Sequence, residues 1–222
     1  GAPAAWAQSG GGRDCRPGAQ GAPRGARGGS GGAGGRAPAT LDAAGRRTTV
    51  GLVPQTAADL LYLESVAQEC EASDTGSGAP IGTCRGLLDR LAPGIDPEHH
   101  PRDLSEGQRL ALALAVVLTA APRVLLLDEP TRGLDYPAKR ELTRIVRELA
   151  AQGHAVLLAT HDGEFVAHVA DRVVVLAEGE VVSAGPTGKV LAESPSFAPQ
   201  VGKVLGAGWL TVEQVARAVE SR

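Results

Sequence analysis

Val124-Leu125-Leu126-Leu127-Asp128-Glu129-Pro130 is the stretch that decides the fold. Four aliphatic residues without a polar interruption read as a strand inside a parallel sheet, apolar on both faces. The run ends in two carboxylates and a proline, at the strand end where open α/β sheets bind ligands. On the C-terminal side, Pro137 to Ala151 carries Leu142, Ile145, Val146 and Leu149 at helical spacing, and Gly153 ends the pattern. Ala155 to Ala159 reads as the next buried strand. Val173 to Leu176 and Glu180 to Ser183, joined near Glu178-Gly179, read as a hairpin.

On the N-terminal side, Ser105-Glu106-Gly107-Gln108 has the S-x-x-Q form of a capping box. It predicts a helix to about Ala120. Leu110, Leu112, Leu114, Val116, Val117 and Leu118 cover nearly every face, so that helix is buried. Cys84 to Leu91 reads as a helix with Leu87, Leu88 and Leu91 inward. Leu60, Tyr62, Leu63, Val66, Ala67 and Cys70 also recur at helical spacing, while Ser73 to Pro80 reads as a Gly-rich loop. Thr49 to Val53 is a short buried strand that runs into Pro54-Gln55. Near the C-terminus, Thr211-x-x-Gln214 is a second capping box, with Val212, Val215, Ala216 and Val219 on one stripe. Strands alternating with helices predict an α/β fold with a mainly parallel sheet.

Aromatic residues make up 3% of the 222-residue chain, so the core must be aliphatic. Cys15, Cys70 and Cys84 show no C-x-x-C spacing and are odd in number, which argues against a disulfide framework. No apolar run approaches the roughly 18 residues of a membrane span, and no signal-peptide core is present. The net charge of −3 is unevenly divided. Residues 1–49 carry seven Arg against Asp14 and Asp42, so the remainder is acidic, which argues against nucleic acid as a partner.

Residues 1–39 contain 13 Gly, 10 Ala, 5 Arg and 4 Pro and no apolar periodicity. Such a segment buries too little surface to offset its chain entropy and is expected to be disordered. Gly, Ala, Arg and Pro are also what GC-only codon doublets specify, so out-of-frame translation of GC-rich DNA stands beside a flexible linker and a nucleic-acid-binding arm as readings. The division expected is 1–48 low-complexity, 49–190 a partial α/β domain with a helical part at about 56–120, and 191–222 a C-terminal extension with one helix.

The chemistry sits at the segment ends. Asp128 is placed to hold Mg²⁺, largely through water, and Glu129 to polarise an attacking water as general base. A capped helix N-terminus at Ser105 offers free N–H groups to a phosphate, and Gly107 permits close backbone approach. Asp135, before Tyr136-Pro137, has a purely structural reason to exist as an N-cap.

In order, Ser105-Glu106-Gly107-Gln108, Val124 to Pro130, Gly133-Leu134-Asp135 and Thr160-His161 resemble the signature, Walker B, D-loop and switch-histidine motifs of ABC-type ATPases. The resemblance covers roughly residues 49–190. It implies a phosphate-loop NTPase-like fold and ATP and Mg²⁺ as cofactors. It also implies that Ser105, Gly107 and Gln108 contact ATP held by a partner ATPase domain. Asp135 would cross that dimer interface, His161 would contact the γ-phosphate, and Gln55 would link Mg²⁺ to the helical subdomain. Glu106 stands where the family commonly has Gly, which adds a negative charge near phosphate.

Leu60 to Val66 and the tail from Ser194 to Val212 are similar to energy-coupling-factor importer ATPases, which energise vitamin or cobalt/nickel uptake. The implied partners are a second ATPase domain and an integral membrane subunit, and the implied location is cytoplasmic, peripheral on the inner membrane face. A soluble ABC ATPase acting on ribosomes or DNA, and an inactive remnant serving as a binding module, are the alternatives.

No G-x-x-x-x-G-K-[S/T] phosphate loop occurs, and no Lys precedes Lys139. The chain therefore reads as a C-terminal portion whose N-terminal part is missing or disordered. It is expected not to bind ATP in cis, and to leave two sheet edges and an apolar surface open.

Overall fold

The computed structural model describes residues 41–194, 197–206 and 208–220. The low-complexity segment through residue 40, and with it the choice between linker, arm and misframed sequence, lies outside them.

Chain order is α1 (Ala43–Thr49), β1 (Val50–Val53), α2 (Val66–Ser77), α3 (Thr83–Leu91), α4 (Glu106–Leu118), β2 (Val124–Asp128), α5 (Tyr136–Ala151), β3 (Ala155–Ala159), α6 (Gly163–Val169), β4 (Arg172–Ala177), β5 (Glu180–Pro186), α7 (Thr187–Glu193), α8 (Gln200–Leu205) and α9 (Val212–Glu220). β1, β2 and β3 form a parallel sheet in that order, with Leu52 opposite Leu126 and Leu126 opposite Leu157. β4 and β5 form a separate antiparallel pair with an irregularity between Val175 and Leu176. The α/β architecture with a parallel sheet is the one the alternating pattern predicts.

β2 lies between β1 and β3 and is hydrogen-bonded along both edges. Its Leu125 and Leu127 are buried against the helical side of the sheet, in one cluster with Leu112 and Leu114 of α4 and Leu142 and Ile145 of α5. The aliphatic core follows from the scarcity of aromatics. Cys70 and Cys84 are buried and unbridged.

Five local expectations change. The helix read from Leu60 begins instead at Val66. Glu69 accepts from the Leu63 N–H at 2.7 Å, Gln68 from Glu64 at 3.2 Å, and Ser65 caps Gln68 at 3.3 Å, so residues 63–65 are held in a bend that leads into the helix, and Leu60 closes a separate 3-10 turn, Ala57–Leu60. That helix then runs through the stretch read as a loop, where Ser73 donates to the Val116 carbonyl at 3.0 Å and Gly78 closes it in a left-handed conformation (φ 69°). Residues 43–49 are helical rather than featureless, because Asp42 accepts from the Gly45 N–H at 2.8 Å and caps the turn.

β3 is an edge strand and not a buried one, with Leu157 40% exposed. The apolar stripe of α9 faces outward, with Val212 and Val219 64% and 69% exposed, although the capping box formed by Thr211 and Gln214 is present.

Candidate functional site

β2 and β3 end side by side, Asp128 opposite Ala159, and this sets the first cluster. Glu129 follows in a left-handed backbone conformation (φ 46°), unusual for a residue with a side chain, while its N–H bonds the Ala159 carbonyl at 2.7 Å. The turn aims the carboxylate across the strand ends. There Glu129 Oε1 lies 2.9 Å from His161 Nδ1, and Oε2 accepts from the Thr160 hydroxyl at 3.2 Å. Thr160 is fully buried, so its hydroxyl acts as a fixed support and Glu129 is oriented from two sides.

The support continues outward. Thr160 Oγ1 accepts from the Asp162 N–H at 3.1 Å, and Asp162 Oδ2 pairs with Lys139 Nζ at 2.7 Å. Burial works against the Asp162 charge, but the Lys139 ammonium and the Phe165 N–H outweigh it and hold this carboxyl below its usual range. Lys139 lies in the first turns of α5, where its own N–H bonds the Asp135 carbonyl at 3.0 Å. Asp135, Lys139, Asp162, Thr160, Glu129 and His161 thus form one hydrogen-bonded series.

The second cluster is the start of α4. Ser105 and Gln108 form the reciprocal capping box, Ser105 Oγ accepting from the Gln108 N–H at 3.3 Å and Gln108 Oε1 from the Ser105 N–H at 3.0 Å. Arg109 fixes the preceding loop by donating to the carbonyls of Pro101, Arg102 and Leu104 at 3.2, 3.0 and 2.8 Å, and it pairs with Glu106 at 2.5 Å. The Glu106 charge is therefore partly answered within its own helix. A Cβ at Gly107 would come 3.3 Å from that of Ala138, so a glycine here lets α4 close against α5. Ser105, Gly107, Gln108 and Asp135 all line one groove of about 540 Å³. Asp135 Oδ1 also accepts from the Ala138 N–H at 2.9 Å, so it does cap α5.

The residues expected to act thus fall into two groups. Glu129 and His161 touch, whereas Ser105, Gly107, Gln108 and Asp135 share a groove that neither of that pair lines. Gln55 lies just past the end of β1, exposed, and Asp128 is exposed at the end of β2. Among the described residues neither side chain makes a hydrogen bond or ion pair, and no cluster of three or more His, Cys, Asp or Glu is placed to hold a metal.

One free carboxylate with an amide oxygen fits a Mg²⁺ ion that keeps water and takes its remaining ligands from phosphates. No Gly-x-x-x-x-Gly-Lys-Ser/Thr cradle for those phosphates occurs in the given sequence. Sequence reading missed Lys139, Asp162 and the supporting role of Thr160. Lys139 and Asp162 are 23 residues apart, and only the fold joins them.

A family model described as AAA domain, putative AbiEii toxin, Type IV TA system matches residues 46–167. A putative ABC transporter ATP-binding protein of Streptomyces avermitilis is 63% identical over 171 residues, covering 77% of this chain and 30% of that protein. The chain thus spans under a third of that relative's length.

The structure of cbiO1 from Clostridium perfringens, part of the ABC transporter complex cbiONQ, aligns with TM-score 0.60 and 30% identity over 79% of this chain and 69% of that one. A dimeric ATP-binding cassette in a post-hydrolysis state, bound to ADP and Pi, aligns with TM-score 0.57 and 25% identity over 67% and 68%. Two further relatives differ in kind. They are the energy-coupling factor transporter ATP-binding protein EcfA2 of Lacticaseibacillus paracasei (34% identical, covering 66% of this chain and 53% of that protein) and the macrolide export protein MacB of an Azoarcus species (33%, covering 71% and 24%).

The chain belongs to the ABC transporter ATP-binding domain family. No helix among the described residues is long and apolar enough to cross a membrane.

Proposed function

We propose that this chain is part of the ATP-hydrolysing subunit of an energy-coupling-factor importer for a vitamin or for cobalt or nickel, acting at a dimer interface on the cytoplasmic face of the membrane. The observation that carries the reading is the separation of the two clusters. A phosphate-seeking helix N-terminus at Ser105 opens on a groove apart from the water-orienting pair Glu129 and His161, so each half is complete only against a second subunit.

In this reading Ser105, Gly107 and Gln108 meet the γ-phosphate of ATP held by the partner domain, and Asp135 meets the partner's backbone. Asp128 and Gln55 hold Mg²⁺. Glu129 takes the proton of the attacking water, and His161, bonded to it, steadies the γ-phosphate. An integral membrane subunit docks on the helical part around α2 and α3.

The test mixes this chain with a full-length relative carrying its own phosphate loop. Light scattering should show a heterodimer that needs Mg-ATP and that Ser105→Arg abolishes. Association without nucleotide, or indifference to Ser105→Arg, would reject the reading. The likeness to MacB supports an exporter as the second reading, and solute flux in vesicles with the membrane subunit separates import from export.

A further inference from the structure

The two cysteines of the described residues are brought together by the fold, although a helix end and a turn separate them along the chain. Cys70 lies on α2, one turn before Asp74, so the two side chains share a helix face. Asp74 Oδ1 accepts from the Cys84 N–H at 2.8 Å, which holds the start of α3 against that face. The thiols meet there and hydrogen-bond to each other, Cys70 3% exposed and Cys84 fully buried.

The surroundings are polar for so buried a pair. The hydrogen bond from Cys70, followed by the Thr119 and Ser73 hydroxyls, holds the Cys84 thiol below its usual range against the opposing effect of burial. Cys70, which keeps its proton on that bond, is pushed up. The charge of Arg85 acts on Cys70 in the other direction, and Arg85 Nη1 is buried without a hydrogen-bond partner among the described residues. A buried cysteine that only fills space lies among apolar groups and is inert.

We propose that Cys70 and Cys84 are a redox-active dithiol that a hydroperoxide converts to a disulfide bridging α2 and α3. With hydrogen peroxide, the Cys84 thiolate attacks one oxygen, the O–O bond breaks, and the hydroxide released takes a proton to leave as water. Cys84 is then a sulfenic acid. The Cys70 sulfur attacks the Cys84 sulfur, the S–O bond breaks, and the departing hydroxide takes the Cys70 proton as a second water. The two thiols lose two electrons and two protons, and the peroxide is reduced to two waters. Arg85 favours the anionic Cys70 sulfur as its proton leaves.

The oxidant has a short path. None of residues 78–83, the turn over Cys84, is buried, and Ile81 within it is 95% exposed, so opening the turn uncovers no packed apolar side chain. The bridge would fix α2 to α3 and close the loop between them. Neither cysteine lines the groove at Ser105 or touches Glu129 or His161, so the proposal is independent of the proposed function.

The test exposes the full chain, carrying Cys15→Ser, to hydrogen peroxide at neutral pH. Trypsin leaves both cysteines in one peptide, residues 48–85, and cleavage after Glu71 separates them unless they are bridged. That peptide should lose the mass of two hydrogens, stay joined after cleavage at Glu71, and come apart in dithiothreitol. The melting temperature should rise by ~5 °C or more and return on reduction. Cys70→Ser should stop at a Cys84 sulfenic acid that dimedone traps, and Cys84→Ser should be trapped at Cys70 ~10-fold less.

Thiols that survive peroxide in the folded chain, or that bridge only at urea concentrations that unfold it, would overturn the proposal. Equal trapping in the two serine variants would overturn the assignment of Cys84 as the attacking sulfur. The chain with both thiols decides the first two outcomes, so the proposal can fail even if a serine variant does not fold.

Discussion

α3 starts without a cap of its own. Gly82 occupies the cap position at φ 89°, and no side chain there bonds the first turn. The acceptor comes from α2, where Asp74, 2% exposed, takes the Gly82 N–H at 2.6 Å and the Cys84 N–H at 2.8 Å. Asp74→Ala leaves both donors without a partner, one of them fully buried. Charge-assisted bonds contribute about 1.5–3 kcal/mol each, so with the half-exposed Gly82 bond at the low end the loss should be about 3–4 kcal/mol.

Asp74→Asn keeps one acceptor oxygen and turns an NH₂ toward the other donor, so it should cost about 2 kcal/mol. With a urea slope of about 2 kcal/mol per molar, the alanine midpoint falls by about 1.5–2 M and the asparagine midpoint by about 1 M. Urea titration followed by far-UV circular dichroism measures both. Asp89→Ala, which breaks only the exposed pair with Arg85 on the same helix, should stay within about 0.5 kcal/mol of the parent and serves as control. An alanine variant within that margin, or an asparagine variant as weak as alanine, would refute the assignment of Asp74 as the cap of α3.

Ser105→Ala removes one half of the capping box and should cost about 1 kcal/mol by the same titration, and also slow ATP turnover by a mixed dimer. The carboxyl of Asp162 is depressed in the folded chain, so the stability from its pair with Lys139 is present above the ordinary carboxylate pKa and is lost as pH falls through the folded value. Lys139→Met should therefore cost under about 1 kcal/mol at neutral pH, given a half-exposed Lys, and that difference should shrink as pH falls below the ordinary carboxylate range through the folded value. Mg-ATP should leave the melting temperature of the isolated chain unchanged at micromolar concentration, and a clear rise in scanning fluorimetry would contradict the absence of a phosphate cradle.

Where an element's own sequence carries its cause, the sequence reading reached it. The run Val124 to Leu127 has no polar face, which marks β2 as a strand of a parallel sheet, and Ser105 with Gln108 carries both halves of its cap within four residues. The helix at Val66 was misplaced because Leu60 and Leu63 share its spacing, while Glu69 and Gln68 reach back and hold the preceding residues in a bend.

The exposure of Leu157 was equally hidden, since a strand's apolar run does not say whether its neighbour is present. At the site, Asp128, Glu129, His161, Ser105 and Asp135 were legible as motif positions. The support of Glu129 by Thr160, and the tie from Lys139 to Asp162, depend on separations of 31 and 23 residues that only folding brings together.

Gly163 opens α6 immediately after His161 and Asp162, and a Cβ there would fall 2.4 Å from the Phe197 carbonyl oxygen. The C-terminal extension thus rests its backbone where any side chain at 163 would have to go. The two positions are bound to a common evolutionary history: a lineage that keeps the extension in this seat can carry only glycine at 163, and one that sheds it is released to vary there. Substitution at 163 should accordingly be a marker of whether the extension still lies against the helix that follows the histidine.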